Sequence, residues 1–224
     1  MKFKILFVLF ISCYFTPESL KAQVISSLNF PYKVGYSLSL KGTAITYKSD
    51  GSKQTDSSFT YYNIDKESDF KGKHWVNFHL KLISDSVRIL NSPLSINENG
   101  MFYNSPGKNK IKKKYIVHAI SLPLTSGKTW NTILEGCKAT CSVISLNTFV
   151  ATPEGNIDAF CIQTIALIEK HKDYDLKLKM LEFYNQRIGK IAYSSYYFYE
   201  THDGKVINLY EVNEVVSDYS FTKN

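Results

Sequence analysis

The sequence predicts an all-β protein, antiparallel and built as one domain. Three observations carry this. Short runs of aromatic and β-branched residues recur through most of the 224 residues. Gly, Asn, Asp and Pro break those runs at regular intervals, and no stretch after residue 23 keeps a long helical period.

The strands expected from these runs cover residues 36–48, 58–66, 74–84, 87–90, 101–104, 115–121, 138–150, 157–169, 176–186, 189–199 and 205–215. Their separators have turn chemistry: Ser49-Asp50-Gly51, Asn97-Glu98-Asn99-Gly100, Pro153-Glu154-Gly155-Asn156 and His202-Asp203-Gly204. Asp203-Gly204 supplies the positive φ angles of a tight hairpin. Residues 92–130 have the weakest pattern and are expected to form loops or a short helix over one face of the sheet. No internal repeat or long linker divides the chain.

Alternation indicates which faces are covered. In 142–150, Ile144, Leu146 and Val150 oppose Ser145 and Asn147, so one face packs and the other meets solvent. In 157–169, Phe160, Ile162, Ala166 and Ile168 share one face, and Ile157, Ala159, Cys161, Ile165 and Leu167 share the other. A strand apolar on both sides needs cover on both, from the chain itself, from a second sheet or from a ligand.

Ahead of this domain, Lys2 and Lys4 precede the apolar residues 5–11, and Leu20-Lys21-Ala22 precedes Gln23, which is the layout of a secretory signal over residues 1–22. The domain then spans 23–224. An apolar core this short does not cross a bilayer as a helix, which needs about 20 residues. The competing reading uses Cys13 in Leu9-Phe10-Ile11-Ser12-Cys13, a loose match to a bacterial lipoprotein signal, with Phe10 where Leu is usual. The expected compartment is the bacterial periplasm, the outer-membrane surface or the exterior.

The formal charge of +7 falls by two once the leader's three lysines and one glutamate are removed. Much of the excess lies in Lys108-Asn109-Lys110-Ile111-Lys112-Lys113-Lys114, read as an exposed loop or a lysine-blunted edge. Nucleic-acid sites interleave aromatics with basic residues, and only Tyr115 is near, so no nucleic-acid partner is expected.

Without Cys13, three cysteines remain. A hairpin at 152–155 places Cys161 opposite about residue 148 and away from Cys141. Four extended residues would separate Cys137 from Cys141 by roughly 13 Å, too far for a disulfide. Cys161 is therefore expected to be free and buried.

Phe30-Pro31-Tyr32-Lys33-Val34-Gly35-Tyr36, Leu122-Pro123-Leu124-Thr125-Ser126-Gly127-Lys128-Thr129-Trp130 and the hairpin 152–162 together resemble a broad group of exported bacterial β proteins. That group carries FPLxxGxxW, PLxxGxxW and PAGxFxCxxI motifs, often closed by a GVGxV strand, here Arg187-Ile188-Gly189-Lys190-Ile191. The group is largely uncharacterised. The resemblance implies a curved, half-barrel-like antiparallel sheet similar to that of periplasmic lipoprotein carriers. Leu38 stands where the first motif has Trp, and Ile157-Asp158-Ala159-Phe160 lengthens the hairpin tip.

No local signature of catalysis is present: there is no Gly-x-Ser-x-Gly, His-Glu-x-x-His or phosphate loop. His171, Asp173 and Asp175 alternate at a turn and read as surface polar residues, and His74 and His79 fall on opposite strand faces. No cofactor, metal or catalytic residue is assigned. The Tyr-rich strand with Tyr193, Tyr196, Tyr197 and Tyr199 reads as a half-exposed sheet face. The expected function is a non-catalytic envelope protein that binds an apolar ligand or a protein partner through its curved sheet, with Trp130, Ile157, Ile165 and Leu167 as candidate ligand contacts. An envelope hydrolase with a dispersed site is the alternative. Mass spectrometry of the exported protein is expected to find Gln23 at the N-terminus, whereas an acylated Cys13 would establish the competing signal.

Overall fold

Short turns return the chain antiparallel to itself, so strands consecutive in sequence become neighbours in the sheet. A computed structural model, describing residues 23–70, 73–83, 87–104, 115–134 and 136–220, contains twelve strands in chain order. They are β1 (Ser37–Tyr47), β2 (Lys53–Phe70), β3 (Lys73–Ile83), β4 (Val87–Asn97), β5 (Gly100–Asn104), β6 (Ile116–Ser121), β7 (Thr129–Leu134), β8 (Cys137–Thr152), β9 (Gly155–Lys170), β10 (Tyr174–Asn185), β11 (Gly189–Thr201) and β12 (Val206–Ser220). The signal region 1–22 with Cys13, and the run Lys108 to Lys114, lie outside the described residues.

All twelve strands form one antiparallel sheet of order β6-β5-β4-β3-β2-β1-β12-β11-β10-β9-β8-β7. The first and last strands pair at its centre, leaving β6 and β7 as its edges. The sheet curls beyond a half-barrel until these edges meet, and they join through side chains rather than a backbone ladder. The His118 amide donates to Thr132 Oγ1 (2.8 Å), and Trp130 Nε1 donates to the His118 carbonyl (2.8 Å). Lys128 Nζ caps the Ser121 and Pro123 carbonyls, both at 2.8 Å. Such side chains occupy edge groups that would otherwise template another chain.

The described residues of 92–130 do not cover the sheet: they supply the end of β4, all of β5 and β6 and the start of β7, and the described residues contain no α-helix. The cover comes from the segment before β1. Ile25 forms an isolated bridge to Leu124, and Phe30 stacks on Tyr184 (5.5 Å) and Phe160 (6.2 Å). Tyr32 packs edge-on against Phe78 (4.9 Å) and Tyr36 (5.0 Å). The fully buried Tyr36 donates its hydroxyl hydrogen to the Ile188 carbonyl at 2.8 Å. Aromatic contacts of this kind contribute about 0.5–1.5 kcal/mol each beyond burial. Together they floor the barrel at the end where β1 begins and the β10–β11 turn lies.

One expected register changes. Cys161 pairs with Ser145 rather than residue 148: the tip, with Thr152 opposite Gly155, sets Cys161 opposite about residue 146, and a slip in β8 between Ser145 and Thr148 moves it one further. Cys137, Cys141 and Cys161 are all free thiols, and Cys161 is 3% exposed, as expected. The outer face of β9 is not fully covered: Ile165 is 39% and Leu167 41% exposed, while Phe160, Ile162 and Ala166 are buried. Curling gives a sheet an enclosed inner face, which stabilises it sufficiently without a second layer outside.

The floor depends on Gly189. Its φ is +92°, and a Cβ there would lie 2.4 Å from the Tyr32 hydroxyl oxygen and 2.5 Å from Cε1 of the same ring. Gly204, with φ +84° and nothing within 4 Å, shares the backbone demand without the clash. Gly189→Ala is expected to lower Tm by roughly 4–8 °C, equivalent to about 2 kcal/mol or more, and Gly204→Ala by clearly less. Thermal unfolding of the two variants checks this, and equal losses would place the effect in backbone strain alone.

Candidate functional site

The register places a ring of partnered positions around the inside of the barrel. Ser58 pairs with Gly42, Gly42 with Glu214, Glu214 with Tyr193, Tyr193 with Glu182, Glu182 with Ile162 and Ile162 with Val143. Direct partners share a sheet face, so these residues form one inward-facing belt. Gly42 is required for closure: a Cβ there would lie 1.7 Å from the Asn213 carbonyl oxygen.

A bulge adds one more group to the belt. Phe183 pairs with Ala192 but Tyr184 pairs with Lys190, so Ile191 is the extra residue. The phase of β11 shifts there, and Lys190 and Tyr193, three apart, both line the interior. The Lys190 amide donates to the Tyr32 hydroxyl (2.9 Å), and its ammonium forms an ion pair with the Glu182 carboxylate. The same ammonium sits 5.6 Å from the Tyr193 ring centre and 5.9 Å from those of Tyr62 and Tyr184, within the range of a cation–π contact.

Above this floor is a cavity of about 660 Å³. Its walls are Leu38, Leu80, Leu90, Leu94, Met101 and Met180, with the rings of Tyr103 and Phe78. Leu82 and Arg88 near the β3–β4 turn, with Leu134 and Gly136 at the β7–β8 turn, line it at the end opposite the floor. That volume falls in the range of about 300–1,000 Å³ typical of small-molecule sites.

The charge state of the floor follows from burial. Desolvation disfavours the Lys190 ammonium, but the Glu182 carboxylate paired with it outweighs that cost and holds the lysine pKa well above its usual value. Burial pushes the phenols of Tyr32, Tyr103, Tyr184 and Tyr193 upward, so they are neutral at physiological pH. The Tyr184 hydroxyl is buried and has no hydrogen-bond partner. Cys141 and Cys161 are each pushed up to about 11 by desolvation, which leaves them thiols rather than nucleophilic thiolates.

None of Trp130, Ile157, Ile165 and Leu167 lines this cavity. Trp130 and Ile157 are half-buried against the core, and Ile165 and Leu167 are the exposed pair on β9. His171 pairs with Glu169 (3.2 Å) and lies over the Tyr174 ring (4.4 Å); His79 pairs with Asp65 (2.8 Å). Among the described residues, no three His, Cys, Asp or Glu side chains come together as a metal site would need. Sequence reasoning missed Lys190 and Glu182. The signal open to it was a lysine one residue past a positive-φ glycine inside an otherwise apolar strand.

No family model matches the chain. No curated protein matches it. Among solved structures, it is similar to a Bacteroides fragilis protein described as exported and of YmcC-like fold. That match has 14% identity and a TM-score of 0.48, and covers 86% of this chain and 100% of the other. It is also similar to a Parabacteroides distasonis protein described as a lipoprotein, with 12% identity and a TM-score of 0.44, covering 85% of this chain and 99% of the other. No helix among the described residues is long and apolar enough to cross a membrane.

Glu214 offers a pH test of the belt. It is 5% exposed, and burial raises its pKa against the hydrogen bonds from Ser58 and Thr60. Its folded pKa lies above the unfolded one, so its contribution to stability is present at low pH and is lost as pH rises through the folded value. Glu214→Gln is therefore expected to raise Tm relative to the parent at about pH 8, with the advantage shrinking towards about pH 5. Thermal unfolding of both proteins across that window checks it, and a pH-independent difference would exclude titration of Glu214 as its source.

Proposed function

We propose that this is an exported cell-envelope protein that holds an apolar or amphiphilic small molecule inside its barrel. The observation that carries this reading is the cavity of about 660 Å³ with leucine and methionine walls above a small set of convergent polar groups. Export rests on the leader-like layout of residues 1–22. Holding rather than hydrolysis is favoured because, among the described residues, no His or Cys lines the cavity, and the one carboxylate there, Glu182, is committed to Lys190.

A second reading, docking of an envelope protein on the outer face, is favoured by the exposure of Ile165 and Leu167 on β9. The two readings separate on one measurement. Protein purified without detergent is expected to bind the fluorescent apolar probe N-phenylnaphthylamine. Leu90→Trp, which fills the cavity from its wall, is expected to weaken that binding by about tenfold or more. The far-UV spectrum and Tm of the variant report its folding. Unchanged probe affinity in a folded Leu90→Trp protein would overturn the cavity reading and favour the outer face.

A further inference from the structure

The cavity floor carries information about the head group of whatever it holds. Lys190 and Glu182 cancel in charge, so a charged head placed beside them would be buried without a counter-charge. A cation meets a second obstacle: the aromatic cage of Tyr62, Tyr184 and Tyr193, which would otherwise favour one, already holds the protein's own ammonium. The Tyr184 hydroxyl points the other way. Tyr184 is 1% exposed, lines the cavity, and keeps an unmatched hydroxyl where nearly all buried polar groups find partners. Its ring packs in a three-ring cluster with Phe30 and Phe160, at 5.5 and 5.4 Å, so the hydroxyl is held in place rather than free to seek a partner.

We propose that the cavity selects single-chain amphiphiles with an uncharged, hydrogen-bonding head, such as an alcohol, ester or carbonyl, that partners Tyr184 beside the Lys190–Glu182 pair. The apolar chain extends along Leu80, Leu90 and Leu134 towards the end opposite the floor. This inference rests on the ligand-holding reading above. The phenol, neutral because burial raises its pKa, serves as the donor to an acceptor oxygen on the head.

Displacement of N-phenylnaphthylamine by decanol, decanoate and decyltrimethylammonium tests it, since the three share a chain and differ in head charge. Decanol is expected to displace the probe with an affinity about tenfold or more above either charged analogue. Tyr184→Phe is expected to lower decanol affinity about three- to tenfold, the effect of one hydrogen bond. With probe affinity measured separately for each protein, the same variant should keep or raise its Tm, because the lost hydroxyl bonds nothing in the protein. Probe binding without head-group preference, or with decanol affinity unaltered in Tyr184→Phe, overturns the head-group assignment and leaves the cavity reading in place. A fall in Tm that accompanies the affinity loss assigns Tyr184 a structural role and overturns it equally. Failure of the parent protein to bind the probe overturns both.

Discussion

The hydrogen bond from the Lys190 amide to the Tyr32 hydroxyl joins the two parts of this molecule that have no covalent reason to meet. On one side is the N-terminal segment that floors the barrel; on the other is the bulged start of β11. Once Tyr32 lies on Gly189, the extra residue at Ile191 turns Lys190 inward, and Glu182 on the next strand must answer its charge. Removing either partner alone would strand a buried charge at about 3–5 kcal/mol, yet an intact buried pair is often no more stabilising than a well-packed apolar one. Stability therefore does not explain the pair. A polar floor inside an apolar barrel does, if the interior is there to receive something.

Closure of the sheet obeys a related economy. Eleven strand pairs form backbone ladders, but the twelfth contact, between β6 and β7, is made by Thr132, Trp130 and Lys128 side chains. Each is one or two bonds where a ladder would repeat them along a whole strand. β5 and β6 are also among the shortest strands of the sheet. The seam side is thus bound by fewer backbone bonds than the β8–β9–β10 wall, and local opening is concentrated where such bonds are few. It is also the side on which Met101 and Tyr103 meet the cavity.

Much of this fold is legible in the residues, for a reason that also sets the limit. Period-two alternation and Gly or Asn turns are local, so eleven strands and most hairpins follow from them. β7 escapes because Thr129 to Leu134 follows Ser126-Gly127-Lys128 and alternates only weakly. The sense of the curl is not local. β9 is apolar on both faces, and nothing within it distinguishes Phe160 and Ile162, which face in, from Ile165 and Leu167, which face out. Lys190 is hidden more deeply: strict alternation puts it on the face opposite Tyr193, and only the bulge at Ile191 reverses that. The motif Phe30-Pro31-Tyr32 reads as a turn before a strand, whereas its rings form the floor, a role that depends on contacts with residues 160, 184 and 189, far along the chain.

Cavity size gives the polar floor its physical meaning. Kept dry, a void of 660 Å³ at about 24 cal/mol per Å³ would cost on the order of 15 kcal/mol, as much as the whole stability of an ordinary domain, about 5–15 kcal/mol. A barrel of this shape therefore folds only if its interior is occupied by solvent or ligand. Water needs two to four polar partners to be held, and the leucine walls offer none, while Lys190, Glu182, Thr60, Ser92 and the tyrosine hydroxyls offer several. The floor makes the solvated barrel tolerable, and the walls make water there easy to displace. An amphiphile that replaces wall water with its chain and floor water with its head gains on both counts, and this places the driving force for binding in the division between leucine wall and tyrosine floor.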